Sequence, residues 1–147
     1  MMDFSEATLL IADCDKKIIM CDLTKQNKWS FGRETSLVHP DISVKSDIVS
    51  RDHGEFVCME GQWFYIDHGG KNGTFINGKK ISGGKGKRRY PVLLSDGDML
   101  RVDYSDLSNP DRRGVSLLYL EKKITDMKEA EALFRFNTAF DIDQGVT

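Results

Sequence analysis

The 147-residue chain is 39% hydrophobic and 30% charged, the profile of a soluble globular protein with room for one core but not for two ordinary domains. Its net charge of −2 gives nucleic acid no general attraction, and no apolar run approaches the roughly 18–20 residues that cross a bilayer. Met1 to Thr8 lack the basic start and apolar stretch of a secretory signal. Cys14, Cys21 and Cys58 form no C-x-x-C pair and leave at least one thiol unpaired, which argues against a metal site or disulfide framework and for a reducing cytoplasm.

In chain order, Thr8–Ala12 and Lys17–Cys21 are short apolar runs around Asp13-Cys14-Asp15-Lys16, a first hairpin. Trp29–Arg33 reads as the next strand, leaving through Gly32-Arg33. Residues 34–50, polar and interrupted by Pro40, read as a long loop region. Gly54–Met59 and Trp63–Asp67 flank Glu60-Gly61-Gln62 as a second hairpin. Phe56 and Cys58 share one face of that first strand and Val57 and Met59 the other, and apolarity does not orient them. Phe75-Ile76 and Lys80-Ile81 surround Asn77-Gly78, a strong hairpin signal because both turn positions need positive φ. Val92–Leu94, Met99–Val102 and Val115–Glu121 follow, with Asp96-Gly97-Asp98 as the turn between the first two. Many short strands without alternating helices predict an all-β, twisted antiparallel β-sandwich. The period then changes: Asp126 and Glu129 form a capping-box pattern, and Met127, Ala130, Leu133 and Phe134 share one helical face. A short C-terminal helix is expected over residues 126–137.

Three loops carry chemistry. Gly32-Arg33 sets a permanently charged, planar fork at a strand end. Ser50-Arg51-Asp52-His53 gathers a hydroxyl, a guanidinium and an imidazole, and Lys71-Asn72-Gly73-Thr74 adds an amide beside a glycine that permits close approach. Loops at one end of a sandwich converge, and this set offers the donors that capture a phosphate dianion. From Lys71 to Tyr90 there are seven basic residues and no acidic one, a local positive field.

Gly32-Arg33, Ser50-Arg51-x-His53, Asn72-Gly73-Thr74-Phe75-Ile76-Asn77-Gly78 and Leu94-x-Asp96-Gly97-Asp98-x-Leu100 resemble, in order and spacing, the forkhead-associated (FHA) family. The resemblance covers roughly residues 8–122, leaving 1–7 as an N-terminal segment and 123–147 as a C-terminal helix and tail. It implies about eleven strands and a phosphothreonine-peptide binding module, linked to a Ser/Thr kinase, with no enzyme activity, cofactor or metal. By the same resemblance Arg33 holds the phosphate, Ser50 donates its hydroxyl, Arg51 adds its backbone N–H, and Asn72 bonds the ligand's main chain. Gly32, His53, Gly73 and Asn77 are structural supports. Lys71 stands where the family usually has a small hydroxyl residue, so it either adds charge or marks a lost hydrogen bond. Ile48, two residues before Ser50, is expected to read the ligand residue three places after the phosphothreonine and to favour Ile, Leu or Val.

The same residues have plainer readings. His39 and His68 fit exposed loop residues, Trp29 and Trp63 fit packing, and Asp67, Asp96 and Asp98 fit turn-forming carboxylates. Gly83 to Arg89 lacks the spacing of a phosphate-binding P-loop and fits a solvated loop. Two functional alternatives remain: a degenerate pocket making phosphate-independent protein contacts, and an anionic-surface or nucleic-acid binder acting through residues 79–89.

Overall fold

The computed structural model describes residues 6–81, 90–104 and 111–146, with the side chains of the terminal helix described as far as residue 136. The Gly83 to Arg89 segment and its proposed solvation lie outside the described residues.

Among the described residues eleven strands form two packed sheets: β1 (Thr8–Ala12), β2 (Ile18–Asp22), β3 (Lys28–Arg33), β4 (Ile42–Val44), β5 (Gly54–Met59), β6 (Gln62–Asp67), β7 (Gly73–Ile76), β8 (Lys79–Lys80), β9 (Pro91–Leu93), β10 (Met99–Asp103) and β11 (Val115–Leu120). One sheet runs β2-β1-β11-β10-β7-β8 and the other β4-β3-β5-β6-β9. Among the described residues every pairing is antiparallel except β3 with β4, which is parallel with Arg33 beside Val44. That short edge strand lies inside the stretch 34–50 expected to be all loop. Three residues after a proline carry too little alternation to announce a strand, although Ile42 and Val44 are buried.

The core lies between the sheets. Leu9, Ile11, Leu117 and Tyr119 from one sheet meet Phe31, Phe56, Trp63 and Tyr65 from the other. Phe56 and Cys58 are the core-facing pair of β5, while Met59 is exposed. Trp63 is buried in the core, and the half-buried Trp29 donates its indole N–H to the Leu23 and Gln26 carbonyls.

β1 and β11 are apolar on both faces, for a reason visible outside the sandwich. Their outward residues Leu10, Leu118 and Leu120 form a second cluster with Met99, Ile124, Ala130 and Phe134. Ala130 and Phe134 belong to α1 (Met127–Val146), which covers this face of the six-stranded sheet. Asp126 starts the helix by accepting the Lys128 N–H at 3.0 Å. The helix extends to Val146, beyond the limit of 137 read from the pattern, and Met127 points to solvent.

At Asn77-Gly78 both φ angles are positive, 51° and 82°, as a tight hairpin turn requires. Asn77 then pins this turn to the next one: its Oδ1 accepts the Met99 N–H at 2.9 Å and its Nδ2 donates to Asp98 at 2.9 Å. Asp96 accepts the Glu121 N–H, and Asp98 the Ser95 N–H, so both carboxylates serve turns. Cys14, Cys21 and Cys58 are free and half-buried. Burial, with Asp22 alongside, pushes the Cys21 thiol up to about 12. No group of residues among those described is placed to hold a metal ion, and no described helix is long and apolar enough to cross a membrane.

Candidate functional site

The β3–β4, β4–β5 and β6–β7 connections meet at one end of the sandwich, and their contact begins with a steric fact. A Cβ on Gly32 would stand 2.0 Å from the Arg51 carbonyl oxygen, so only glycine lets β3 touch the turn that carries Ser50. The next residue exploits that closeness. Arg33 donates its backbone N–H to the Ser50 carbonyl and its Nε to the Val49 carbonyl, each at 3.0 Å. These two bonds fix the stem of the guanidinium and leave its outer nitrogens available to an anion.

Ser50 is held on two sides. Its N–H donates to His53 Nδ1 at 3.1 Å, and its Oγ accepts the Lys71 N–H at 2.9 Å. A hydroxyl that accepts in this way keeps its own proton to donate. Gly70 makes the approach possible, because a Cβ there would sit 2.6 Å from His53 Nδ1.

His53 is fully buried and bonded through both ring nitrogens. Nδ1 accepts, so the ring proton resides on Nε2 and is donated to Thr74 Oγ1 at 2.7 Å. Thr74 passes its hydroxyl proton to Asp67 Oδ1 at 2.8 Å, where the Tyr65 phenol also donates at 3.0 Å. Burial lowers the His53 pKa below the usual histidine value, with Asp67 opposing more weakly. The neutral ring matches this pattern of one acceptor and one donor.

Asn72 donates Nδ2 to the Ile48 carbonyl at 2.8 Å and keeps its amide oxygen for a further partner. Direct bonds therefore join the Arg33, Ser50 and Lys71 positions into one unit, with Asn72 beside it and Arg51 exposed on the same turn. Gly73 follows Asn72 at the start of β7.

Ile48 is a correction. Its side chain is 1% exposed and packs in the sandwich core, as does that of Val49. It offers a ligand no apolar surface, because this short loop bonds its polar backbone outward and turns its apolar side chains in. The exposed side chain there is Asp47, which pairs with Arg113 at 3.4 Å. Arg113 in turn lies 5.5 Å over the Tyr104 ring, and its carbonyl accepts from Ser46 Oγ.

His68 is a second correction. Its side chain is only 12% exposed and lies between Asp52 and Glu55, each 2.6 Å from a ring nitrogen. Its N–H donates to the His53 carbonyl at 2.9 Å, so it braces the turn carrying Arg51. His39 is exposed, beside Glu34. Asp67 has its expected turn role, accepting the Gly69 N–H at 3.1 Å, but its bond from Thr74 and the bracing by Thr74 and His68 have no sequence signal beyond adjacency to the Asn72-Gly73 loop.

Two sheets that present donors from several loops at one end define a loop-based recognition sandwich. The chain belongs to the FHA domain family, whose profile matches residues 29–103. It is 29% identical over 100 residues to the E3 ubiquitin-protein ligase DMA1 of Saccharomyces cerevisiae, a stretch covering 67% of this chain and 24% of that protein. DMA2 of the same yeast is 28% identical, over 67% of this chain and 19% of its own length. The chain thus spans at most about a quarter of these relatives. Among solved structures, the yeast Pml1 splicing factor, described with its integration into the RES complex, matches with a TM-score of 0.63 at 24% identity over 83% of each chain. An engineered FHA with a Myc-pTBD peptide matches at 0.57 and 21% identity, over 89% of this chain and 99% of that one. These are likenesses of fold.

Proposed function

We propose that this chain is a phosphothreonine-peptide binding module for phosphorylation-dependent protein contacts downstream of a Ser/Thr kinase. The observation that carries the reading is the bonded unit of Arg33, Ser50 and Lys71 with Asn72 at its edge. In this reading the Arg33 guanidinium and the Ser50 hydroxyl donate to the phosphate, which carries about −1.5 to −2 charges at pH 7. Arg51 adds its backbone N–H, Lys71 adds charge, and Asn72 bonds the ligand's main chain. Whatever side chain stands at position 71, its backbone N–H holds Ser50, and in this chain that bond is kept with lysine in place of the family-typical hydroxyl residue. Preference for threonine over serine rests on burying one methyl, about 0.8 kcal/mol.

The same reading makes the chain a binding module and not an enzyme. Ligase activity belongs to the DMA proteins as whole chains, most of whose length lies outside the match. The deciding experiment is a titration with matched phosphothreonine, phosphoserine and unphosphorylated peptides. Affinity in that descending order supports the proposal, and equal binding of all three refutes it in favour of phosphate-independent contact.

A further inference from the structure

One cation close to this pocket has no role in it so far. Lys80 lies directly opposite Phe75 in the β7–β8 register, so both side chains leave the sheet on one face. Gly73, two residues before Phe75, shares that face. A Cβ at Gly73 would stand 3.1 Å from Lys80 Cε and 3.3 Å from the Phe75 ring. The lysine stem therefore lies across Gly73 and brings its charged end beside the neighbour of Asn72.

Among the described residues, the nearby acids are already committed. Asp103, opposite Gly73 on β10, is buried and bonded to Arg101 Nε at 3.0 Å and Nη2 at 2.9 Å. Asp111 accepts from Arg113 at 3.1 Å. Neither Lys71 nor Lys80 forms an ion pair among the described residues. The dipeptide that borders the phosphate pocket thus has two exposed lysines beside it, Lys71 next to it in the chain and Lys80 packed against Gly73, neither of them ion-paired among the described residues.

We infer that Lys80 is a specificity residue, selecting ligands with an anionic side chain close to the phosphothreonine. The preferred group is either a carboxylate or a second phosphorylated residue. This rests on the phosphothreonine reading and extends it: Lys71 serves the primary phosphate, while Lys80, packed against Gly73, serves a flanking anion. A phosphate, with its greater charge, binds better than a carboxylate there.

The test is a set of phosphothreonine peptides with neutral flanks, in which Asp or phosphoserine is moved through the four positions on each side. Affinities are measured by fluorescence anisotropy with the full 147-residue chain. One position is expected to raise affinity about two- to fivefold with Asp, the range of an exposed ion pair, and more with phosphoserine. Lys80→Ala removes that increment but leaves the neutral-flank peptide within about twofold, as expected for an exposed side chain that serves the flanking anion and not the phosphate. Lys80→Arg and Lys79→Ala keep it. A flat scan in a protein that binds the neutral-flank peptide overturns the Lys80 inference alone. The same holds if Lys80→Ala weakens every peptide equally. Failure to bind even the neutral-flank phosphopeptide overturns the underlying reading as well.

Discussion

Replacing Thr74 by valine tests the support under Ser50 without touching the pocket. The side chain is 1% exposed, and valine fills nearly the same volume, so the change removes only a hydroxyl. That hydroxyl accepts from His53 Nε2 and donates to Asp67. His53 is wholly buried, and its Nε2–H then has no acceptor within hydrogen-bond distance, Asp67 Oδ1 standing 4.0 Å away, which costs about 1–3 kcal/mol. Asp67 keeps the Tyr65 hydroxyl and the Gly69 N–H, so the second loss is smaller. A total of about 2–3 kcal/mol corresponds to a fall in melting temperature of roughly 4–12 °C for a chain of this size. Urea unfolding followed by the fluorescence of Trp29 and Trp63 measures it, with an unchanged slope expected. Phosphopeptide affinity should fall too, because a displaced His53 no longer receives the Ser50 N–H. A Thr74→Val protein within about 0.5 kcal/mol of its parent, the scatter of ordinary neutral substitutions, would refute the claim that this chain of bonds braces the site.

Arg33→Ala should reduce phosphopeptide affinity by about 2–5 kcal/mol, and Ser50→Ala by about 1–3 kcal/mol, with circular dichroism unchanged; calorimetric titration measures both. Because burial lowers the His53 pKa from 6.5, the unfolded chain takes up a proton that the native ring refuses. Its contribution is fully present above about pH 6.5 and is lost as pH falls towards the lower native value, so His53→Gln should flatten the acid limb of stability against pH; an unchanged limb rejects this. Ile48→Ala should cost about 2–5 kcal/mol of stability while leaving the ligand preferences of a peptide library essentially as they were.

The legible parts of the fold were those written in local chemistry. Asn77-Gly78 announced its hairpin through backbone conformation, and the apolar runs of β1 and β11 announced burial. What these runs did not disclose was why both faces were apolar, because the answer lay in α1, more than a hundred residues from β1. Edge strand β4 was missed for a related reason: its pairing with β3 is parallel and brief, so no hairpin turn marks it. At the site, motif spacing identified Arg33, Ser50 and Asn72 as neighbours, and the bonds now join their loops. Side-chain direction was beyond the motif. Ile48 could face in or out on sequence alone, and the burial of Ile48 and Val49 together shows that the loop closes the core. His68 was equally ambiguous until β5 and the Arg51 turn placed a carboxylate on each side of its ring.

The inward anchoring of the β4–β5 loop has a bearing on how such a module acquires new clients. Ile48 and Val49 hold that loop from the core side, while Lys45 and Asp47 stand in solvent, and so do Arg51 and Lys80 at neighbouring positions. Mutation at the solvent-facing set alters what the rim attracts and spends little of the chain's stability, since surface changes usually fall within about ±0.5 kcal/mol. Mutation at the anchored set loses the scaffold before it changes the choice of client. Retargeting by laboratory evolution therefore has a compact search space: randomising Lys45, Asp47, Arg51 and Lys80 samples new ligand preferences in a population that remains folded.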